Sequence, residues 1–342
     1  MISVITGAYG NAGDYLIGSA ARGLLKNHVD ANITNLDRLN LDDAAYDAIN
    51  KSRFVLLTGG PAYQKRVYPK IYPLDLSRVN VPVVPFGLGW KGKLDENPAD
   101  FTFSDQGLSF VQQVHSNFSG FSSARDPFTV SMLNANGVSN VEMTGCPAWY
   151  NEPTFNNDFV WSGQPKNVLV SVPAAKTDQL DALMDFVRER FPKSNRTLLF
   201  QAGLNPTAAQ SDPALRKWLL RTAAVGALKG FRVVSTTGSL DRFLNLLDSN
   251  DVHLGYRVHA HIGTLARRKP SVLIAEDSRG LGQMSALGSA VRRSDDDHAA
   301  LIASLHSYFD QQADESRRAV EAMKQRFPVM LDFLNQVAEP RS

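Results

Sequence analysis

The sequence predicts an α/β protein built from two Rossmann-like domains that face a cleft. Three observations predict it. Short β-branched apolar runs alternate along the chain with longer segments of helical period. Several of those runs, such as Phe54-Val55-Leu56-Leu57, are apolar on consecutive residues, as a parallel sheet covered on both faces requires. The rhythm breaks once, at 147–164, where Pro, Asn, Gly and aromatic residues accumulate, and then restarts. With 342 residues the chain exceeds one ordinary core and suits two domains of roughly 150 residues each. The expected division is 1–150, 151–296 and a C-terminal helical segment, 297–342.

In the first half the apolar runs place strands at 2–6, 32–36, 54–58, 81–86, 120–124 and 141–144. Helical period places helices between them at 14–26, 42–50, 103–114 and 127–136. After the connection, strands fall at 167–172, 197–202, 231–236, 252–256 and 271–275. Helices fall at 178–190, 212–227, 240–248, 258–267 and 281–287. The segment from Asp297 to Val337 is amphipathic, which suits helices that return to brace the first domain.

Composition excludes several classes. With 36 basic and 34 acidic residues there is no global field for nucleic acid, so a basic site must be local. The single cysteine, Cys146, rules out a disulfide framework and fits a reducing compartment. The opening Met1-Ile2-Ser3-Val4-Ile5-Thr6 lacks a positive leader and reads as a buried strand rather than a signal peptide. No apolar run reaches the roughly 18 residues of a membrane span, so no integral membrane segment and a cytoplasmic location are expected; a membrane-bound acceptor is compatible with both.

Five strand ends carry candidate chemistry. The first, 6–14, opens a helix with Gly7, Gly10, Asn11, Gly13 and Asp14. Glycines let backbone amides approach a ligand, and a helix N-terminus favours an anion. The G-x-x-G-x-x-G spacing also suits a nicotinamide-dependent epimerase, with Asp37 as the ribose-binding acid. Against that, Asp14 would repel a pyrophosphate and no Tyr-x-x-x-Lys pair occurs. Simple tight packing of the turn is the plain alternative.

The second group is Thr58-Gly59-Gly60-Pro61, then 86–92 with Gly87, Gly89, Trp90, Lys91 and Gly92. Glycine loops at successive strand ends point into one crevice. The third is Ser122-Ser123-Ala124-Arg125-Asp126. Arg125 can grip a carboxylate or phosphate with two parallel hydrogen bonds, whereas Asp126 reads as a helix N-cap with Pro127 at the first position. The fourth, 254–261, brings Arg257 and His259 across a strand-to-helix turn. A histidine near its free pKa of about 6.5 can act as general acid at neutral pH. His261, two residues on, faces elsewhere; it reads as a core residue, and a zinc pair is rejected. The fifth, 275–280, is a polar loop in which Arg279 either neutralises a phosphate or simply sits in a solvated turn.

In order and in strand-relative placement these segments resemble the polysaccharide pyruvyltransferase family. The resemblance lies in G-N-x-G-D at 10–14, Gly59-Gly60, the S-x-R-D-like 123–126, the V-x-x-T-G-x-P-A run at 141–148, R-x-H-A at 257–260 and P-x-V-x-I at 270–274. It implies a GT-B-like fold with the site between the domains. It also implies phosphoenolpyruvate as donor, a saccharide acceptor, and neither a metal nor a nicotinamide cofactor. Arg125 and Arg257 would match the arginines that hold the donor's phosphate and carboxylate, and His259 the general acid. Asp14 would orient or deprotonate the acceptor. Asn11, Gly10, Gly60, Lys91 and Arg279 complete the expected binding set. The chain departs from the family pattern at Pro61-Ala62-Tyr63 and at Trp90-Lys91-Gly92, both in the half expected to hold the acceptor. A GT-B glycosyltransferase using a nucleotide sugar is the alternative, and a non-enzymatic sugar-phosphate-binding cleft is a third.

Overall fold

Consecutive apolar residues at the predicted strands are explained by two sheets that are covered on both faces. The computed structural model describes residues 1–6, 11–60, 62–206, 210 and 212–338. The first sheet contains β1 (Ile2–Thr6), β2 (Ile33–Asp37), β3 (Val55–Thr58), β4 (Val83–Leu88), β5 (Ser122–Ala124) and β6 (Val141–Met143), in the order β2-β1-β3-β4-β5-β6. The second contains β7 (Asn167–Ser171), β8 (Asn195–Phe200), β9 (Phe231–Ser235), β10 (Val252–Gly255) and β11 (Ser271–Leu273), in the order β11-β10-β7-β8-β9. Every pairing is parallel. Strand order reverses between β1 and β3 in one sheet and between β7 and β10 in the other. Ligands of open α/β sheets bind beyond the strand carboxyl ends at such reversals.

The helices are α1 (Ala12–His28), α2 (Asp43–Asn50), α3 (Asp105–Ser116), α4 (Pro127–Ala135), α5 (Glu152–Phe155), α6 (Gln179–Arg190), α7 (Pro213–Leu228), α8 (Leu240–Ser249), α9 (Val258–Ala266), α10 (Ser278–Leu287), α11 (His298–Asp310) and α12 (Asp314–Ala338). Two boundaries differ from the sequence expectation in ways that matter for the site. β4 runs on to Leu88, and α10 begins at Ser278 rather than 281, so Arg279 stands in a helix's first turn instead of a loop. The cause is Asp277, whose carboxylate caps the Arg279 amide at 3.1 Å.

The largest apolar cluster joins the two halves, with Ile2, Val4 and Leu16 in one continuous body with Leu169, Leu199 and Leu247. Polar bonds cross as well: Trp149 Nε1 donates to Gln283 Oε1 at 2.9 Å and Gly92 N to Ser278 Oγ at 2.6 Å. Helix α12 lies against the first sheet. Its Phe333 ring is 5.1 Å from Phe86, and its Gln336 Oε1 accepts from Phe121 N at 3.0 Å. Among the described residues no helix is long and apolar enough to cross a membrane.

Candidate active site

Parallel register puts the strand ends level. Thr6 lies beside Asp37 on one side and Thr58 on the other, so whatever follows β1, β2 and β3 emerges at one rim. After β3, Gly59 and Gly60 take φ of +61° and +84°, a backbone region that costs other L-residues strain. Asn11 caps α1 by accepting from Gly13 N at 3.1 Å, and the same Oδ1 accepts from Gln201 Nε2 at 2.7 Å, across the cleft. Asp14 follows in the first turn, with Oδ1 3.8 Å from where a Cβ of Gly60 would stand. Burial pushes its carboxyl up to about 6, held back by Arg38, Arg279, Arg257 and Arg125 in that order. Gly10 lies outside the described residues.

Arg125 leaves the end of β5 and is only 1% exposed. Its guanidinium lies so close over Gly89 that any side chain there would collide with it. Arg125 Nε donates to Asp126 Oδ2 at 3.2 Å, while Nη2 is buried with no partner. Asp126 is the cap of α4, accepting from Thr129 N and Oγ1, each at 2.9 Å, with Pro127 at the first helical position. The sequence expectation for Asp126 therefore holds.

Across the cleft, Arg257 precedes α9. Its amide donates to Ser171 Oγ at 3.0 Å, and its Nη1 stands 4.0 Å from Glu276 Oε2. Glu276 in turn accepts from Ala174 N at 2.6 Å and Ala175 N at 3.1 Å, the two amides just beyond β7. Arg279 is held by its own cap residue, through Nε to Asp277 Oδ1 at 2.9 Å and Nη2 to Oδ2 at 2.6 Å. Burial opposes its charge most strongly, but the carboxylates of Asp277, Glu276 and Asp14 together more than restore it. Lys91, expected on the acceptor side, stands near Asp277, Glu276 and Arg279 of the second domain, on a loop that reaches over to Ser278.

His259 lies in the first turn of α9, buried, with Nε2 unpartnered. Burial first, then Arg125, Arg279 and Arg257, hold its pKa well below the usual 6.5. The expectation of a near-normal histidine is thus corrected: in the free protein the ring is neutral, because three guanidinium charges and a low-dielectric site both oppose a further positive charge. His261 is a core residue as expected; its Nδ1 meets Ser271 Oγ at 2.8 Å and burial lowers it to about 3.

Asn11 and Arg125 from the first domain and Gln201, Tyr256, Arg257, His259, Glu276, Asp277 and Arg279 from the second line one small cleft. Helices α1, α4, α9 and α10 all begin at this cleft, beside Asn11, Arg125, Arg257 and Arg279. Their positive ends add to the guanidinium charges, so a small multiply charged anion is the complement. Four buried atoms of the lining have no partner: Arg125 Nη2, His259 Nε2, Tyr256 Oη and Gln201 Oε1. Gln201 and Glu276 were not singled out in the sequence; the only available signal was a polar residue directly after an apolar strand. Among the described residues no group of three or more His, Cys, Asp or Glu side chains is placed to hold a metal ion.

The sequence matches the polysaccharide pyruvyl transferase family over residues 11–278, well over half its length. The chain belongs to that family. The matched span includes Gly59-Gly60, the 86–92 loop, Arg125, Arg257, His259 and Glu276, and ends as α10 begins. No curated protein sequence matches the chain. Solved structures resemble it in fold. Staphylococcus aureus MnaA, solved with UDP, superposes with a TM-score of 0.58 at 12% identity, covering 100% of this chain and 98% of its own. A UDP-N-acetylglucosamine 2-epimerase described as putative, from Listeria monocytogenes, gives 0.55 at 13%, covering 100% and 98%. Anabaena Alr3699/HepE in complex with UDP and glucose gives 0.54 at 12%, covering 98% and 97%. The chain therefore has the GT-B-like arrangement of two parallel-sheet domains.

Proposed function

We propose that the protein transfers pyruvyl from phosphoenolpyruvate to two hydroxyls of a saccharide, forming a pyruvate ketal and releasing phosphate. One observation carries the reading: Arg125, Arg257, Arg279 and His259 converge on one small cleft, with Arg125 Nη2 and His259 Nε2 buried and unpaired. Phosphoenolpyruvate presents a phosphate and a carboxylate on a three-carbon frame, and planar guanidinium forks suit both groups better than ammonium ions. Glu276 favours this donor over a nucleotide sugar, because its carboxylate already occupies the two amides at the β7 end where a diphosphate would seat.

In this reading Arg125 and Arg257 hold the donor's anionic groups, and Arg279 with Lys91 adds charge at the rim. A proton delivered to the methylene carbon makes C2 electrophilic, and the first acceptor hydroxyl adds there. The C2–O bond to phosphate then breaks, with the arginines stabilising the leaving charge. The second hydroxyl closes the ketal, so the two hydroxyl protons end on the new methyl group and on phosphate. His259 is neutral until the donor's negative charge offsets the arginines; it then carries a proton between acceptor and donor. Asp14, whose pKa burial raises, takes the hydroxyl proton in this reading. Asn11 and Gly60 shape the rim around it.

Calorimetric titration with phosphoenolpyruvate tests this, beside Arg125→Ala and Arg257→Ala, with UDP-glucose and NAD as comparators. Saturable binding lost in both variants is expected. Binding of UDP-glucose in place of phosphoenolpyruvate would replace the reading with glycosyl transfer.

A further inference from the structure

Polar groups in the first domain lie beyond the donor site and have nothing to bond. The register that sets Thr6 beside Asp37 and Thr58 brings Arg38, the residue after β2, to the same sheet end as Gly59 and Gly60. The Arg38 guanidinium carbon stands 5.8 Å from the centre of the Tyr72 ring. Tyr72 is fully buried, yet its Oη has no partner, and neither has the buried Nε of Arg38. Of four arginine charges acting on Asp14, that of Arg38 is the strongest, and Arg279, Arg257 and Arg125 follow. Asp14 is thus acted on by charges of both this cluster and the donor cleft.

A buried polar atom left unpaired is costly, so two of them beside a carboxylate point to a bound partner. The charges identify its class. Arg38 and Asp14 offset each other, whereas the donor cleft adds the positive ends of four helices to its paired guanidinium groups. A neutral subsite that offers a planar donor fork, a phenol and an acceptor carboxylate complements adjacent hydroxyls, each of which both donates and accepts. We propose that Asp14, Arg38 and Tyr72 form the acceptor subsite, and that it takes an uncharged pyranose whose paired hydroxyls bond to Asp14 on one side and to Arg38 and Tyr72 on the other. This rests on the pyruvyl-transfer reading for the word acceptor, but not for the sugar binding itself.

Saturation-transfer NMR on the full-length protein tests it, with methyl β-D-galactopyranoside, methyl β-D-glucopyranoside and methyl α-D-mannopyranoside as neutral probes and methyl α-D-galacturonide as the anionic one. At least one neutral glycoside should bind saturably. Its affinity should fall by about fivefold or more in Arg38→Met and in the conservative Tyr72→Phe, which keeps the buried ring. Phosphoenolpyruvate affinity should stay near the unsubstituted value in both. No signal from any neutral probe, signal from the uronide alone, or equal binding in both variants would overturn the subsite. Glycoside binding without phosphoenolpyruvate binding would instead overturn the donor reading and leave the sugar site standing.

Discussion

Gly13 and His259 come from different domains and approach so closely that a methyl group on Gly13 would overlap Nδ1 of the imidazole. The same methyl would lie 2.7 Å from Gln201 Nε2. Gly13→Ala should therefore push His259 and Gln201 away from the cleft. Alanine is the better helix former by roughly 0.5–1 kcal/mol, which only partly offsets about 1–3 kcal/mol of overpacking. A loss of turnover on the order of a hundredfold is expected, with a melting temperature lowered by several degrees. Unchanged turnover would show that the ring position is immaterial.

Four histidines are buried with depressed pKa values: His115 and His261 to about 3, His253 and His259 well below the ordinary value, burial being the first cause in each. The unfolded chain binds protons at these sites near pH 6.5 while the native protein does not. Stability is thus fully present above about 6.5 and falls as pH drops from there toward 3, by up to roughly 1.4 kcal/mol per pH unit for each histidine. Asp14 and Glu276, raised by burial, oppose this, since the native state keeps their protons to higher pH. Four groups outweigh two, so urea midpoints should drop between pH 7.5 and 5.5. A midpoint constant over that interval would contradict the burial assigned to these rings.

Arg125 is buried with a single hydrogen bond to Asp126 and an idle Nη2, which makes it costly for the fold. Asp126 keeps its two bonds from Thr129 without it. Arg125→Met should leave thermal stability unchanged or raised while phosphoenolpyruvate binding drops by a hundredfold or so. Parallel melting and calorimetry would check the pair of outcomes. A strongly destabilised variant would mark the arginine as structural.

Glu276→Gln retains an acceptor oxygen for Ala174 N and Ala175 N but removes the charge facing Arg257. Affinity for inorganic phosphate should rise several-fold, since about 1 kcal/mol of attraction is released from the internal carboxylate. Phosphate titration by calorimetry measures it. Weaker phosphate binding in the variant would mean that Glu276 is needed to aim Arg257.

Alternation of apolar runs with helical period was enough to locate the strands, because a strand buried on both faces has no other way to be written. Strand ends carrying Arg125, Arg257 and His259 were legible for the same reason: polar residues directly after an apolar run must leave the sheet at its carboxyl rim. Capping chemistry is equally local, and Asp126-Pro127 announced α4. Asp277 had the same meaning but was obscured by Arg279 and Gly280, which made a helix turn look like a loop.

The sequence by itself thus determined the two parallel sheets, the family, and the rim on which each charged side chain would stand. Only the tertiary structure decided which rims face each other, that Glu276 fills the β7 amides, that Lys91 crosses to the second domain, and that Arg38 Nε and Tyr72 Oη are buried without a hydrogen-bond partner. Strand and cap signals arise from neighbours in the chain, whereas the Arg125 charge on His259 and the pairing of Asn11 with Gln201 join groups over a hundred positions apart, brought together only when both sheets bury their faces against α1.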